Sequence, residues 1–425
     1  MEVFSSLLAI TVCALLAPLI AHTLPHRVVP ETVLLIALGI AVGPAGTGWV
    51  HVGPEISLLS ELGLAFLFLL AGYEVDMDDL RSGHGVRATL AWLVSFALAL
   101  LVVEFAFDAS FLSVQGTAIA IAMTSTALGT LMPILKERRL ENTAVGRIVM
   151  THGTVGEMLP IIAIALLLSS GSLLSSLGVL AIFALTAVLL FVIPNQARRW
   201  GLRVVDLIRL RAEGTAQTTV RLTVVLLVGL STLAVGFKLD LVLGAFSAGL
   251  IVRQLLPQGR KELDQKLDGL AYGFFIPLFF VVSGTQIDLR VIVEQPLFLT
   301  AFFIALMLVR GVPVFISTHG QRPGYHPLTL GERGRIGLYS TTALPIIVAV
   351  THVAVSADAM GEETASTLVL GGTLSVLVMP VLAAIMQSRT RTSDMDPDDP
   401  EDIEEELAGG AARDGEAPTV SHDPT

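Results

Sequence analysis

Long apolar stretches separated by short polar segments run along almost the whole chain. Most contain about 20 residues, the length that crosses the ~30 Å hydrocarbon core of a bilayer as an α-helix. We therefore predict an all-α polytopic membrane protein with thirteen membrane-spanning helices, called spans 1 to 13, of which spans 2 and 9 are short and rich in glycine. The spans lie near residues 4–23, 29–47, 57–74, 87–107, 112–135, 145–169, 173–196, 217–236, 239–256, 269–287, 295–318, 330–353 and 364–387.

The distribution of positive charge sets the expected orientation. Alternate loops on one side of the predicted membrane carry nearly all the lysines and arginines, whereas the loops on the other side carry only Lys238 and Arg290. Because basic loops stay in the cytoplasm, we predict that the N-terminus lies outside and the C-terminus in the cytoplasm.

Composition agrees with a membrane protein, since 53% of residues are hydrophobic, 15% are charged and the mean hydropathy is +0.76. The formal net charge of -11 arises near the C-terminus, because Ser393–Thr425 contains twelve acidic residues and one arginine. The membrane domain, residues 1–388, is therefore close to neutral. Residues 389–425 are rich in Asp, Glu, Pro and Gly, and we predict a disordered acidic tail that is either simply solvated or binds a basic partner.

Several classes of function are disfavoured by what the sequence lacks. Cys13 is the single cysteine, so neither a disulfide nor a thiolate metal site can form within the chain. There is no dinucleotide or P-loop fingerprint, and no nucleophile–base pair or metal-ligand spacing stands out. We expect no enzymatic activity, no cofactor and no nucleic-acid partner. The first apolar stretch lacks a basic leading segment, so we expect a retained span rather than a cleaved signal.

Thirteen spans divide into six, one and six. If span 7 is a linker, the two six-span halves have opposite orientations in the membrane. Inverted repeats of this kind are typical of secondary transporters, which bind substrates at the repeat interface near the membrane midplane. In this division span 5 corresponds to span 12, and span 6 to span 13.

Spans 5 and 12 share an unusual motif of three hydroxyl residues followed by Ala-Leu, halfway through an apolar stretch. Ser and Thr compete for main-chain hydrogen bonds, so we predict that both spans are interrupted and that their free ends and hydroxyls coordinate a cation. Close packing of helices through small residues is the alternative interpretation. The hydroxyl residues are Thr124, Ser125 and Thr126 in span 5, and Ser340, Thr341 and Thr342 in span 12.

Glu157 lies within the apolar run 148–168 and has no charged neighbour nearby in the sequence. It follows Arg147 by ten residues, which places it ~15 Å from the expected membrane boundary and near the midplane. A carboxylate at this depth costs ~2.5–3.5 kcal/mol on insertion scales, so it is a candidate site for a proton and a monovalent cation, with Thr154 and Gly156 beside it. A glutamate that only hydrogen-bonds a neighbouring helix is the alternative.

Arg310 is a second charge in the middle third of an apolar span. A cation at this depth needs a counter-charge or free carbonyl groups, so both Glu157 and the interrupted ends of spans 5 and 12 are candidate partners. Snorkelling toward the cytoplasmic face is the alternative. His152 is interpreted chiefly as a packing residue, with a role in cytoplasmic access or pH sensing as the alternative, and Glu61 and Glu104 as interfacial residues.

Several short motifs occur together in a fixed order. They are Pro30-Glu31, Leu38–Pro44, Leu69–Asp76, Thr124–Thr126 leading into Leu135–Glu137, and Phe275–Gly284. Over about residues 5–388 the chain therefore resembles the monovalent cation:proton antiporter superfamily, in particular its Kef-type branch of bacterial sodium or potassium/proton antiporters. The resemblance implies crossed interrupted helices, an ion-binding carboxylate at Glu157, a charge-compensating residue at Arg310, and a homodimer in the bacterial plasma membrane.

The resemblance also implies that a core, about residues 87–169 and 295–387, moves against a dimerising scaffold, about residues 4–74 and 217–287, with span 7 as the linker. Many relatives carry two adjacent acidic residues, or an amide and an acid, where this chain has Gly156-Glu157, and often lysine where it has Arg310. With one titratable carboxylate and a permanently charged arginine, we predict electroneutral exchange of one cation per proton.

The expected function is secondary active antiport of Na⁺ or K⁺ against protons by alternating access, because either a proton or a desolvated cation, but not both, neutralises Glu157. The sequence leaves both cations open. A channel-like cation pathway is one alternative, although it needs a continuous filter of carbonyls or charges. A membrane receptor or scaffold that acts through the acidic tail is another, and it predicts that Glu157→Gln leaves function intact.

Overall fold

The computed structural model describes residues 2–23, 29–74, 82–106, 110, 113–141, 143–167, 217–237, 241–255, 261–321 and 327–387. Within these residues every regular element is helical, and eight helical segments, some of them made of two helices, are long and apolar enough to cross a membrane. The chain is therefore an integral multi-pass membrane protein, as predicted. Span 7 and the acidic tail lie outside the described residues, so the total of thirteen spans stays a prediction.

Helices coincide with spans 1 to 6 and 8 to 13, and several spans are built from more than one helix. In chain order the helices are α1 Glu2–Thr23, α2 Glu31–Val42, α3 Pro54–Glu74, α4 Gly83–Ala106, α5 Val114–Thr124, α6 Leu128–Glu137, α7 Ala144–Leu167, α8 Gln217–Gly236, α9 Leu241–Leu255, α10 Lys261–Leu270, α11 Ile276–Thr285, α12 Val291–Glu294, α13 Pro296–Leu306, α14 Val312–Ser317, α15 Leu330–Tyr339, α16 Leu344–Ser356 and α17 Glu362–Gln387.

Two groups of helices pack mainly among themselves. Helices α1, α2, α3, α8, α9 and α11 form one group, and α4, α5, α7 and α13 to α17 form the other. In the first group glycines allow main chains to touch, because a Cβ at Gly39 or Gly284 would collide with the facing helix of the α2–α11 pair. Gly72 and Gly249 play the same part between α3 and α9. Small residues at such interfaces are typical of helix packing in membranes.

Spans 5 and 12 are both interrupted at their hydroxyl motifs, as predicted. Helix α5 ends at Thr124 and α6 begins at Leu128, while α15 ends at Tyr339 and α16 begins at Leu344. The two interruptions touch, since the Thr126 hydroxyl donates to the Ser340 carbonyl at 2.5 Å and the Ala127 N–H donates to the Thr342 carbonyl at 2.8 Å. Main-chain groups freed by one break are thus partly satisfied by the other.

Two π-helical segments, which the sequence analysis missed, lie within long helical spans. Ala271–Phe275 joins α10 to α11, and Met307–Gly311 joins α13 to α14. A proline stands two residues after each segment, at Pro277 and Pro313. Proline has no N–H for the ordinary i→i−4 bond, so the helix widens locally. The second segment contains Arg310, and the first contains Tyr272.

Candidate functional site

The carboxylate of Glu157 lies against the interruption of span 5. Glu157 is on α7 and only 8% exposed, and its Oε2 accepts a hydrogen bond from the Leu128 N–H at 3.3 Å. Leu128 is the first residue of α6, so the acid faces a helix N-terminus, whose partial positive charge stabilises an anion. This is the one hydrogen bond that the carboxylate makes to the described residues.

A cavity of about 750 Å³ reaches Glu157. Around the acid its wall is formed by Ala127, Thr130, Tyr272 and Pro345. Farther out it is lined by polar residues from the end of α1 and the start of α2, which are His22, Glu31 and Thr32. The carboxylate is therefore accessible to water and ions from the side of the molecule on which α1 ends.

A second cavity, of about 880 Å³, lies on the opposite side and is not lined by Glu157. Phe280 and Pro345 line the first cavity, whereas Ser283 and Val348, about one helical turn farther along α11 and α16, line the second. The two cavities are thus separated by about one helical turn of α11 and of α16.

The rim of the second cavity carries an exposed ion pair. A nitrogen of the Arg290 guanidinium lies 2.9 Å from an Asp288 carboxylate oxygen, and both residues line the cavity. Hydrogen bonds from Arg290 hold the pKa of the Asp288 carboxyl below its ordinary value, so this acid stays ionised and paired.

Arg310 is fully buried, and neutral oxygens accept its hydrogen bonds. Its Nε donates to the Thr126 hydroxyl at 3.1 Å, and its Nη2 donates to the His152 carbonyl at 2.9 Å. Of the predicted partners, the interrupted end of span 5 is therefore correct, while Glu157 is wrong because no hydrogen bond joins it to Arg310. The snorkelling alternative is also wrong, since the side chain is 0% exposed.

Gly156 gives Arg310 room to approach α7. A Cβ at this position would collide with the Arg310 guanidinium and the Thr126 side chain. The Gly156 carbonyl also accepts the Thr126 N–H at 2.8 Å. Gly156 thus contacts Arg310 and the interruption, while the neighbouring Glu157 reaches the cavity.

The predicted hydroxyl residues line the interruptions but not the cavity at Glu157. Five of them donate to carbonyls three or four residues earlier in their own helix, and Thr126 donates across to span 12. The five are Thr124, Ser125, Ser340, Thr341 and Thr342. Their protons are thus used within the fold, and their role as cation ligands stays a prediction.

Thr154 lies closer to the acid, in a small void that Glu157, Glu74 and Leu128 also line. The sequence analysis missed Glu74, Thr130 and Tyr272 as neighbours of the site. For Thr130 a signal existed, because it follows the hydroxyl motif by one helical turn. Tyr272 lies on a helix distant in sequence, and only the packing of that helix brings it to Glu157.

Interrupted apolar helices, a buried carboxylate and a water-accessible cavity together define a membrane transporter of small ions. The family model described as sodium/hydrogen exchanger, transmembrane, matches residues 10–387, and the chain belongs to this family. Its members are transporters and not enzymes. The predicted superfamily is therefore confirmed, while the Kef-type branch stays a prediction.

Three relatives show how far the similarity extends. YjbQ of Bacillus subtilis, to which Na⁺/H⁺ antiport is ascribed, is 24% identical over 396 residues, covering 89% of this chain and 62% of YjbQ. The Na⁺/H⁺ antiporter of Enterococcus hirae is 26% identical over 301 residues, covering 68% of this chain and 75% of the relative. Cation/H⁺ antiporter 15 of Arabidopsis thaliana is 28% identical over 403 residues, covering 86% of this chain but 46% of that protein.

Two structures of the sodium proton antiporter MjNhaP1 from Methanocaldococcus jannaschii have a similar fold. They superpose with TM-scores of 0.60 and 0.62 at 16% identity, covering 93% of this chain and all of theirs. At this identity the likeness concerns the fold alone, and it agrees with the predicted all-α membrane architecture.

Proposed function

We propose that this protein exchanges Na⁺ for protons across the membrane, with Glu157 as the site that both ions share. The observation that carries the proposal is a buried carboxylate at an interrupted helix, at the end of a cavity that opens on one side. Relatives named Na⁺/H⁺ antiporters favour Na⁺ over K⁺ as the cation.

The competition between the two ions follows from the electrostatics of the site. One main-chain N–H only partly offsets the charge of a desolvated carboxylate, so Glu157 needs a proton or a metal cation. Either one neutralises it, and the bound one excludes the other. Since Arg310 keeps its charge and bonds to neutral oxygens, each cycle carries one cation against one proton and is electroneutral.

Alternating access accounts for the two cavities. We propose that the cavity reaching Glu157 faces the cytoplasm, since basic loops favour that orientation, and that the second cavity becomes its counterpart after the core has moved. The division into scaffold and core is supported by the two groups of helices, which pack mainly among themselves. The N-terminus then lies outside, the C-terminus inside, and the scaffold forms a homodimer in the bacterial plasma membrane.

The glycine contacts of the scaffold support the inverted repeat. Under that repeat span 2 corresponds to span 9, and span 3 to span 10. Gly39 and Gly249 both lie ten residues after the predicted start of their spans, and Gly72 and Gly284 both lie fifteen residues after theirs. The α2–α11 contact is therefore the repeat-related counterpart of the α3–α9 contact.

Flux measurements in proteoliposomes test the proposed function. Purified protein is expected to dissipate an imposed pH gradient on addition of Na⁺, and Glu157→Gln is expected to abolish this response. A matched series of measurements with K⁺ shows which of the two cations is exchanged for protons. Na⁺-driven proton flux that responds to an imposed membrane voltage would contradict electroneutrality, and wild-type flux in Glu157→Gln would contradict the assigned site.

A further inference from the structure

His152 makes two contacts with the segment that carries Arg310. Its carbonyl accepts from the Arg310 guanidinium at 2.9 Å, and its Nε2 lies 3.3 Å from the hydroxyl of Ser317, two helical turns beyond Arg310. His152 is 1% exposed and lies on α7, five residues before Glu157. His152 thus connects α7, which carries Glu157, to the segment that carries Arg310 at two points about two helical turns apart.

The direction of the imidazole hydrogen bond follows from its partner. The Ser317 hydroxyl has a single proton, which it donates to the Val314 carbonyl at 2.7 Å. With its proton used in this way, the hydroxyl oxygen can accept from His152, and we assign the imidazole proton to Nε2 on this ground. The contact between His152 and Ser317 is therefore a hydrogen bond that the imidazole N–H donates, and not an ion pair.

The contact continues to the surface of the protein. Gln321, 3% exposed, donates its amide to the Ser317 carbonyl at 3.0 Å, and its amide oxygen lies 3.1 Å from Nδ1 of His84 on α4. The chain of contacts thus connects α7, α14 and α4. A peptide carbonyl and a side-chain amide do not pass protons readily, so this chain holds helices in place and is not a proton path.

We propose that His152 is a positioning residue that fixes the register of α7 against the segment carrying Arg310, and thereby holds the Glu157 carboxylate against the Leu128 N–H and the cavity. The inference rests on the proposed function. Without the imidazole donor α7 loses one of the two His152 contacts with the neighbouring helix, and we expect a small shift that displaces the carboxylate from the N-terminus of α6. The cation site is weakened as a result.

The test compares the apparent KM for Na⁺ and the maximal flux of four reconstituted single variants and of one double variant. His152→Leu removes the donor, Ser317→Ala removes its acceptor, and His152→Gln restores an N–H near the position of Nε2. Ser375→Ala is the matched control, because this buried hydroxyl donates only to the Gly372 carbonyl of its own helix at 2.7 Å.

His152→Leu and Ser317→Ala are each expected to raise the KM about three- to tenfold, the size of effect that one lost neutral hydrogen bond produces. Combining them is expected to add little, since both remove the same contact. His152→Gln and Ser375→Ala are expected to stay within about twofold of the wild-type KM. A packing role alone would lower the yield or the maximal flux of all variants at position 152 and leave the KM unchanged.

A wild-type KM in folded Ser317→Ala, or an equal rise in His152→Gln and His152→Leu, would overturn the inference. If His152→Leu does not fold, Ser317→Ala and His152→Gln still decide between a positioning role and a packing role of His152. These outcomes leave the proposed function standing as long as wild-type protein exchanges Na⁺ and Glu157→Gln does not. A wild-type protein without Na⁺-driven flux overturns the proposed function, and this inference with it.

Discussion

Glu157 and Arg310 are both buried within apolar spans, yet the protein surrounds them differently. Arg310 is bound by a hydroxyl and a carbonyl, lines neither large cavity and is fully buried. Among the residues that the structure describes, Glu157 has one hydrogen bond, at 3.3 Å, and it reaches a cavity. The permanent charge thus donates to two fixed dipoles, although its Nη1 has no hydrogen-bond partner among the described residues, whereas the charge that must change partners is reached by a cavity.

The largest effect is expected from removing the accessible charge. Glu157→Gln keeps the size of the side chain but can neither release a proton nor neutralise a cation, so exchange is expected to be abolished. Initial rates of Na⁺-driven proton flux measure it. Glu104→Gln, an exposed acid within α4, is the matched control and is expected to retain wild-type rates.

The buried charge of Arg310 is expected to affect the stability of the protein more than the charge of Glu157 does. Arg310→Gln removes charged hydrogen bonds to Thr126 and to the His152 carbonyl, and we expect a loss of about 3 kcal/mol in the free energy of unfolding. Arg310→Lys keeps the charge and is expected to lose less. Thermal unfolding in detergent measures both, with the exposed Arg87→Gln as the control. Unchanged stability in Arg310→Gln would contradict a structural role for the guanidinium.

Gly156→Ala tests how closely Arg310 must approach α7. The added methyl group would collide with the guanidinium and with Thr126, so we expect a cost of about 1–3 kcal/mol and a lower flux. Gly229→Ala is the control, because a Cβ there has no neighbour within 4 Å among the described residues. Equal stability of the two variants would show that the contact with Arg310 is not needed.

The smallest expected effect distinguishes hydroxyl groups that line the cavity at Glu157 from hydroxyl groups in the two helix interruptions. Thr130 lines the cavity at Glu157, so we expect its hydroxyl oxygen to contribute to cation binding, and Thr130→Val is expected to raise the KM for Na⁺ about two- to fivefold. Both hydroxyls donate to a carbonyl three residues earlier, but Thr342 does not line the cavity at Glu157, so Thr342→Val is expected to keep the wild-type KM. The opposite order would favour the cation ligands predicted from the hydroxyl motifs.

The sequence analysis predicted the helical elements well, because membrane spans and interruptions depend on local composition. The motifs Thr124–Thr126 and Ser340–Thr342 each interrupt a helix where three hydroxyl residues precede Ala-Leu. The short length of span 2 also follows from the local sequence, since α2 ends at Val42 and Gly43-Pro44 begins a turn.

The surroundings of the site were harder to predict, because they depend on how distant helices pack. Nothing in the sequence near Arg310 indicates that it bonds Thr126 and His152 rather than Glu157. The assignment of the hydroxyls as ligands rested on their depth, but a residue's depth does not determine which way its side chain points. Tyr272 reaches the cavity only because α11 and its π-helical segment pack beside α3.

Calorimetry of Na⁺ binding to the purified protein tests most directly whether one carboxylate holds either ion. In buffers of different ionisation enthalpy, at a pH at which Glu157 is protonated, the binding heat is expected to reveal one proton released per Na⁺ bound. In Glu157→Gln both the binding and the proton release are expected to disappear. Stoichiometric Na⁺ binding to the wild type without proton release would contradict the shared site.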